Sequence, residues 1–112
     1  MYREKIVITG LGSVTPNGNH VDEYWANLIS GVSGIGPITY FDSSNHRVKI
    51  AGQLTNFDPE TVLDAKEIRK LDPFSVYALV ATEEAIKMSG LDNIQFNPDR
   101  IGVTIGTGVG GI

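Results

Sequence analysis

Cysteine is absent from the 112-residue sequence. The chain therefore has no disulfide framework, no thiolate metal site and no thiol nucleophile, and its composition fits a reducing compartment. Basic residues are also few, because 9 Lys and Arg stand against 13 Asp and Glu. Since phosphate binding needs a basic face, we expect no nucleic-acid partner. No apolar run reaches the length of a signal sequence or a membrane span, so we expect a soluble, cytoplasmic protein.

Histidine is scarce as well, and the polar residues predict no active site within the chain. A predicted helix and a loop separate His20 from His46, and neither has a second metal ligand at a suitable spacing. We interpret both as surface or loop residues and expect no metal and no cofactor. No Gly-x-Ser-x-Gly motif is present. Glu83 and Glu84 are adjacent on a predicted helix, so their carboxylates diverge instead of converging on a substrate.

Apolar periodicity and turn residues define the predicted secondary structure. In chain order the pattern predicts a strand over Lys5 to Thr9, a helix after Asn19 that Gly31 ends, an irregular segment over 32–45, a strand over Arg47 to Leu54, a short helix from Pro59 to about Leu63, a long helix from Pro73 to Ser89 that Gly90 ends, and a strand over Ile101 to Ile105. This order is typical of an α/β fold with right-handed crossovers onto a mostly parallel sheet. So few strands make a thin sheet, and the chain has the pattern of the beginning of a larger domain.

Both longer helices carry apolar residues that predict burial. In the first, with Asn19 as the predicted N-cap, the apolar residues recur at i, i+4, i+7 and i+8 and form one amphipathic stripe: Val21, Trp25, Leu28 and Ile29. We interpret Trp25 as a core anchor. The long helix is apolar nearly all round over 74–81, which predicts burial along half of its length.

Two glycine-rich turns each follow a predicted strand. The first, Gly10-Leu-Gly12, lacks the third glycine of the dinucleotide-binding fingerprint, because Thr15 occupies that position, so a tight turn is favoured. The second turn, 106–111, matches Gly-x-Gly-x-x-Gly literally. The helix and acidic residue that a nucleotide site also needs would lie past Ile112. A nucleotide-binding α/β module therefore remains an alternative function.

Three basic residues, Lys66, Arg69 and Lys70, form a local cluster in this acidic chain. If the segment is helical, their spacing of i, i+3 and i+4 places them on one face. Spacing alone favours an ordinary solvated face. The alternative is a docking surface for an acidic partner, because local opposite charge steers association even when net charges do not.

A series of short blocks, taken in order, resembles a known family. The blocks are Ile8-Thr-Gly-Leu-Gly12, Pro16-x-Gly18-Asn19, Trp25-x-x-Leu28, Gly31-x-Ser-Gly-Ile35, Phe41-Asp42, Ala51-Gly52, Lys66-Glu-x-Arg-Lys-x-Asp72-x-Phe74, Tyr77-Ala78, Ser89-Gly-Leu91 and Arg100-Ile-Gly-Val-x-Ile-Gly-Thr-Gly-x-Gly-Gly111. Together they resemble about the N-terminal quarter of the 3-oxoacyl-[acyl-carrier-protein] synthases, the beta-ketoacyl synthases of the type II condensing-enzyme class. The resemblance covers nearly all of residues 1–112.

The resemblance implies a thiolase-like fold, in which two mirrored α/β halves are layered αβαβα, and a homodimer. It implies an acyltransferase of fatty-acid elongation that condenses malonyl-acyl carrier protein with an enzyme-bound acyl thioester. The family's nucleophile is a cysteine that two histidines assist, and neither His20 nor His46 matches a catalytic motif. We therefore expect residues 1–112 to be the incomplete N-terminal part of the synthase N-terminal domain, inactive alone and with no catalytic residue.

Two family features do map onto the chain. Lys66, Arg69 and Lys70 match the basic positions that meet the acidic carrier protein, which reverses the preference for a merely solvated face. Val109, between Gly108 and Gly110, matches the residue that lines and gates the acyl pocket, often isoleucine or phenylalanine. A smaller valine implies a wider passage. A non-catalytic relative that keeps the fold and the docking face, of the chain-length-factor type, is the other alternative.

Overall fold

The computed structural model describes residues 4–111 and contains three α-helices and one pair of strands within them. The elements are α1 (Val21–Ile29), β1 (Ile35–Pro37), β2 (Ile50–Gly52), α2 (Ala65–Ile68) and α3 (Pro73–Ser89), with short 3₁₀ helices at Pro59–Thr61, Leu91–Asn93 and Pro98–Arg100. The mixture of helices and strands confirms the α/β class. None of the helices formed by residues 4–111 has the length and apolar content that a bilayer crossing requires.

The bounds of α3 agree with the sequence prediction at both ends. Pro73 occupies the first helical position, where its missing N–H removes no helical hydrogen bond. Gly90 ends the helix in the left-handed conformation, with φ of 68°. Proline and glycine fix these ends locally, so distant contacts are not needed to define them.

Helix α1 also lies where predicted, but its cap is one residue later. His20 is the N-cap, and its Nδ1 accepts a hydrogen bond from the Glu23 N–H at 3.3 Å. The predicted cap, Asn19, instead donates its N–H to the Glu23 carboxylate at 2.6 Å. The prediction of Asn19 as N-cap is therefore wrong, because an imidazole nitrogen here takes the role of a side-chain oxygen.

The short helix after Asp58 is shorter than predicted. Asp58 caps it, since its Oδ1 accepts the Glu60 N–H at 3.0 Å, but the element is a 3₁₀ helix that ends at Thr61 rather than at about Leu63. The following helix, α2, has four residues. A helix this short gains few internal hydrogen bonds and depends on its neighbours.

The only sheet within the described residues is antiparallel, so the prediction of a mostly parallel sheet is wrong for this part of the chain. β1 pairs with β2 in the register Ile35 to Gly52, Gly36 to Ala51 and Pro37 to Ile50. β1 lies in the segment predicted to be irregular, and β2 occupies the middle of the predicted strand over Arg47 to Leu54. Two neighbouring segments can pair in this way without the crossover that parallel strands need.

The two predicted strands over 5–9 and 101–105 are not strands in the structure. Both runs are exposed, and the side chain of Ile6 is 99% accessible to solvent. Their β-branched residues favour extended backbone, but a strand also needs a neighbour to pair its N–H and C=O groups. Residues 4–111 provide no such neighbour.

The apolar core is very small. Val76 of α3, at 4% exposure, is the one buried hydrophobic side chain in the described residues, which extend over 60 × 36 × 26 Å. Trp25 is 60% exposed, so its prediction as a core anchor is wrong, and the rest of the α1 stripe is largely exposed too. On α3 the prediction is met in part, because residues 74–81 are half-buried apart from the buried Val76 and the exposed Leu79. An apolar face is buried only when another element covers it.

The N-terminal segment lies across α3 at the first glycine turn. A Cβ at Gly12 would collide with the backbone carbonyl of Ala81, and one at Gly10 with that of Ala85. Close approach to a helix backbone therefore accounts for both glycines. Packing against α3, rather than a phosphate, occupies this turn, which weakens the nucleotide-binding alternative.

The Glu84 carboxylate joins the N-terminal segment, α1 and α3 by hydrogen bonds. Glu84 of α3 accepts the Ser13 N–H at Oε2 (2.9 Å) and the Val21 N–H at Oε1 (2.8 Å). Val21 is the first residue of α1, whose N–H groups lack partners within the helix. Glu84 thus links both the N-terminal segment and the start of α1 to α3.

Candidate functional site

The basic cluster lies on the turn that leads into α3. Lys66 is in α2 and Arg69 is the C-cap of that helix. Lys70 follows in a turn, where its N–H donates to the Glu67 carbonyl at 2.9 Å. All three side chains are exposed. Because α2 ends at Ile68, the three residues do not all lie on one helical face. They still lie close together in the chain, on α2 and the turn that follows it.

These cations form no ion pair within residues 4–111. The ion pair found there joins Lys87 to Glu83 at 3.2 Å, near the other end of α3. The three charges therefore face solvent, where they can attract an acidic surface.

The second glycine turn, 106–111, is closed by an internal hydrogen bond. The Gly110 N–H donates to Thr107 Oγ1 at 3.0 Å, and Gly110 has φ of 79°, in the left-handed region that favours glycine. Val109 lies between Gly108 and Gly110 and is 73% exposed. No heavy atom lies near the open side of Gly108 within the described part of the chain. Val109 is thus the outward-facing apolar side chain of this turn.

The glycine turn rests on the first turn of α3. A Cβ at Gly110 would lie 4.0 Å from the ring of Phe74, and a Cβ at Gly111 would lie 2.7 Å from Asp72 Oδ1 and nearer still to the rest of that carboxyl group. Lys70 precedes Asp72 closely in the chain. The structure therefore brings both predicted site features, the basic cluster and the glycine turn, to the N-terminal end of α3.

Sequence reasoning missed the contact of Asp72 and Phe74 with the glycine turn. Asp72 is the N-cap residue of α3 as predicted, but its side chain makes no capping hydrogen bond. The pattern Asp-Pro signals a helix start whether or not the carboxyl group is used for capping. No signal in the sequence pairs Asp72 with Gly111.

The structure gathers no metal site in the described residues, where no group of three or more His, Cys, Asp or Glu side chains converges. His20 caps α1, and the ring of His46 packs edge-on against Phe41 with centroids 5.3 Å apart. A cleft of about 680 Å³ lies between α1, residues 56–62 and α3, and its lining includes Glu23 and Glu84. Those two carboxylates already accept backbone N–H groups.

Comparison with known proteins gives a consistent result. Residues 3–111 match the family described as Beta-ketoacyl synthase, N-terminal domain. The chain is 43% identical to 3-oxoacyl-[acyl-carrier-protein] synthase 2 of Synechocystis sp. and 46% identical to that of Coxiella burnetii, in each case over 100% of this chain and 27% of the relative. It is 46% identical to the Staphylococcus aureus protein of the same name, over 97% of this chain and 26% of the relative.

A solved structure agrees with these relatives. A chain of the ishigamide ketosynthase/chain length factor superposes with a TM-score of 0.69 and 29% identity, over 86% of this chain and 23% of that chain. This chain thus spans about a quarter of the length of the proteins it matches. With residues 3–111 inside the match to the family described as Beta-ketoacyl synthase, N-terminal domain, the chain belongs to the beta-ketoacyl synthase family.

Proposed function

We propose that residues 1–112 are the first part of the N-terminal domain of an elongating 3-oxoacyl-[acyl-carrier-protein] synthase. The observation that carries this proposal is the identity of 43% to 46% with relatives of that name along 97% to 100% of the chain. The complete enzyme would have the thiolase-like αβαβα layers and would work as a homodimer. The mixed α/β elements and the superposition on a ketosynthase/chain length factor chain support that fold.

The reaction would join a malonyl group on acyl carrier protein to an acyl chain held on the enzyme as a thioester. Loss of carbon dioxide leaves the electron pair that attacks the acyl carbonyl carbon. A carbon–carbon bond forms, and the thioester bond to the enzyme breaks. Without cysteine, residues 1–112 supply no thiol nucleophile and are expected to be inactive alone. Their roles would be to dock the carrier protein and to bound the acyl passage.

Lys66, Arg69 and Lys70 would dock the acyl carrier protein. Their exposed charges at the start of α3 would steer an acidic carrier toward the enzyme, because opposite charge raises the association rate. A single exposed ion pair contributes only about 0.2–1 kcal/mol. The three charges would therefore act together, and would affect carrier recognition more than stability of the fold.

Val109 would line the acyl passage. Its side chain projects from a turn whose neighbours, Gly108 and Gly110, have no side chains of their own, and it is largely exposed within residues 4–111. It would therefore be the part of this turn that meets the acyl chain. Because valine is smaller than the isoleucine or phenylalanine often found at this position in the family, the passage would be comparatively wide.

Charge reversal in the complete enzyme tests the proposed function. For the double variant Lys66→Glu/Arg69→Glu we expect a KM for carrier-linked substrate that rises about tenfold or more, since attraction becomes repulsion. The KM for a small thioester analogue should stay unchanged. Lys49→Glu, which reverses an exposed cation outside the cluster, is the matched control. If both substrates suffer equally, the basic cluster has a structural role and the docking proposal is wrong.

A non-catalytic relative is the second candidate, because the superposed structure contains a chain length factor. The sequence of the complete protein would distinguish the two candidates. A cysteine followed later by two histidines would identify the condensing enzyme. Another residue in place of that cysteine would identify the non-catalytic partner.

A further inference from the structure

The carboxyl group of Asp72 has no role in capping α3. Asp72 is the N-cap residue, and its backbone carbonyl accepts the Ser75 N–H at 2.9 Å, but its side chain accepts no hydrogen bond from the first turn. An N-cap aspartate ordinarily uses its side chain for that bond. At this helix start the carboxyl group is therefore available for another contact.

That contact is with Gly111. The three atoms nearest to a Cβ built on Gly111 all belong to the Asp72 carboxyl group. Gly111 is not among the glycines with positive φ, whereas its neighbour Gly110 is. Gly110 is thus required by backbone conformation, and Gly111 by the space that the Asp72 carboxyl group occupies.

Two other glycines of the turn have open space where a side chain would lie. Nothing lies within 4 Å of a Cβ built on Gly106 or on Gly108 in residues 4–111. A run of glycines has a large conformational entropy, so it holds one shape only where contacts impose it. At the glycine positions of the turn, such contacts come from Asp72 beside Gly111 and from the Phe74 ring beside Gly110.

We propose that Asp72 is a positioning residue whose carboxyl group, packed on the bare Cα of Gly111, holds the glycine turn against the first turn of α3 and thereby sets the position of the Val109 side chain. The proposal rests on the proposed role of Val109 in bounding the acyl passage. It adds to that role a residue that never touches the substrate. It also places the support of the acyl passage in the same short segment as Lys70.

The test measures, in the complete enzyme, the ratio of kcat/KM for a long acyl substrate to that for a short one. The ratio is independent of the fraction of enzyme that is folded. Gly111→Ala introduces a Cβ that collides with the carboxyl group, and we expect the ratio to change about tenfold, a coupling of the size known for residues in contact. Asp72→Ala removes the support of the turn and should change the ratio severalfold.

The double variant Asp72→Ala/Gly111→Ala is the decisive measurement. The added methyl group then enters the space that the carboxyl group has left, so the ratio should return to within about twofold of the unmodified enzyme. Asp72→Asn keeps the shape of the side chain, so its ratio should stay much closer to that of the unmodified enzyme than the ratio of Asp72→Ala. Additive losses in the double variant, or an unchanged ratio in both single variants, would overturn the proposal.

Val109→Phe, measured in the same assay, separates failure of this inference from failure of the proposed function. If Val109→Phe changes the ratio while the Asp72 and Gly111 variants do not, the positioning role is wrong and the role of Val109 stands. If Val109→Phe leaves the ratio unchanged, the role of Val109 in the acyl passage is wrong. In that case the melting temperatures of the Asp72 and Gly111 variants test whether the two residues are in contact. Non-additive changes in melting temperature would support the contact, and additive changes would overturn it.

Discussion

The two glycine-rich turns both rest on α3 but differ in what they rest against. Gly10 lies over the backbone carbonyl of Ala85, in the second half of the helix, and Gly12 over that of Ala81, in its middle. Gly111 lies over a side chain, the Asp72 carboxyl group at the helix start. A backbone carbonyl within a helix cannot move without breaking the helix, whereas a carboxyl group can rotate or be replaced.

This difference separates a structural turn from an adjustable one. The first turn fixes where the chain crosses α3, and no residue other than glycine fits at its two contact points. The second turn has open space at Gly106 and Gly108, one left-handed backbone position at Gly110 and one replaceable support at Gly111. Substitutions should therefore cost more stability at the first turn than at the second, and those at the second turn should also alter specificity.

The largest effect is expected for Gly12→Ala. The added Cβ would overlap the Ala81 carbonyl, and we expect a loss of about 3 kcal/mol in the free energy of unfolding, typical of severe overpacking. Unfolding in guanidinium chloride measures this loss of free energy. Gly106→Ala is the matched variant in the second turn, with open space around it, and should stay within about 0.5 kcal/mol. Equal losses at the two positions would refute the distinction between the turns.

The next effect is on specificity, at Val109. In the complete enzyme, Val109→Phe adds several carbon atoms to the proposed acyl passage and should shorten the accepted chain. We expect kcat/KM for the longest substrates to fall about tenfold relative to short ones, since a single methylene is worth about 1–3 kcal/mol. Val109→Ile is the conservative control and should shift the preference less. An unchanged preference in Val109→Phe would contradict the acyl-passage role.

A smaller effect is expected for Gly110→Ala. Its φ of 79° lies in the left-handed region, where an L residue costs about 1–2 kcal/mol. The free energy of unfolding should fall by about 1 kcal/mol, as thermal or chemical unfolding would show. Gly110→Asn should cost less, because asparagine tolerates that region better. If alanine and asparagine were equally damaging, crowding near Phe74 rather than backbone strain would be the cause.

The smallest effect concerns α3 itself, between the positions where the two turns rest. Burial, together with the nearby Tyr40, raises the pKa of Tyr77 above its ordinary value of 10.0. The unfolded chain then releases the Tyr77 proton at a pH where the folded chain still holds it. Stability should therefore fall as pH rises above about 10, and not below.

Tyr77→Phe should remove that alkaline fall while keeping the edge-to-face packing on Phe57, whose ring centroid lies 5.5 Å away. Unfolding curves at pH 8 and pH 10.5 give the comparison. An identical pH dependence in both proteins would mean that the raised pKa of Tyr77 does not contribute to the alkaline loss of stability.

Local chemistry explains which parts of the fold could be predicted. Pro73 and Gly90 set the ends of α3, and Asp58 capped its short helix, because each of these signals acts within a few residues. The strand β1 was missed since Ile35–Pro37 contains glycine and proline and has no strand-like alternation. Its pairing with β2 depends on a distant segment.

The failures at Trp25 and over 5–9 and 101–105 have one cause. Apolar periodicity predicts that a face is suited to burial, but burial requires a second surface, and residues 4–111 do not supply one at these places. The candidate site shows the same limit. The basic cluster and Val109 are proposed as site residues from motifs, whereas the contact between Asp72 and Gly111 exists only in the folded chain.

The two hydrogen bonds of Glu84 have a consequence for the order of folding. They join residues 71 and 63 positions apart in the chain, Ser13 to Glu84 and Val21 to Glu84. Closing so long a loop costs entropy that only a largely formed partner can offset. During synthesis Ser13 and Val21 emerge before Glu84, so neither can be attached to α3 until that helix has been made. Among the described residues, the segment before α1 is therefore expected to reach its final place late.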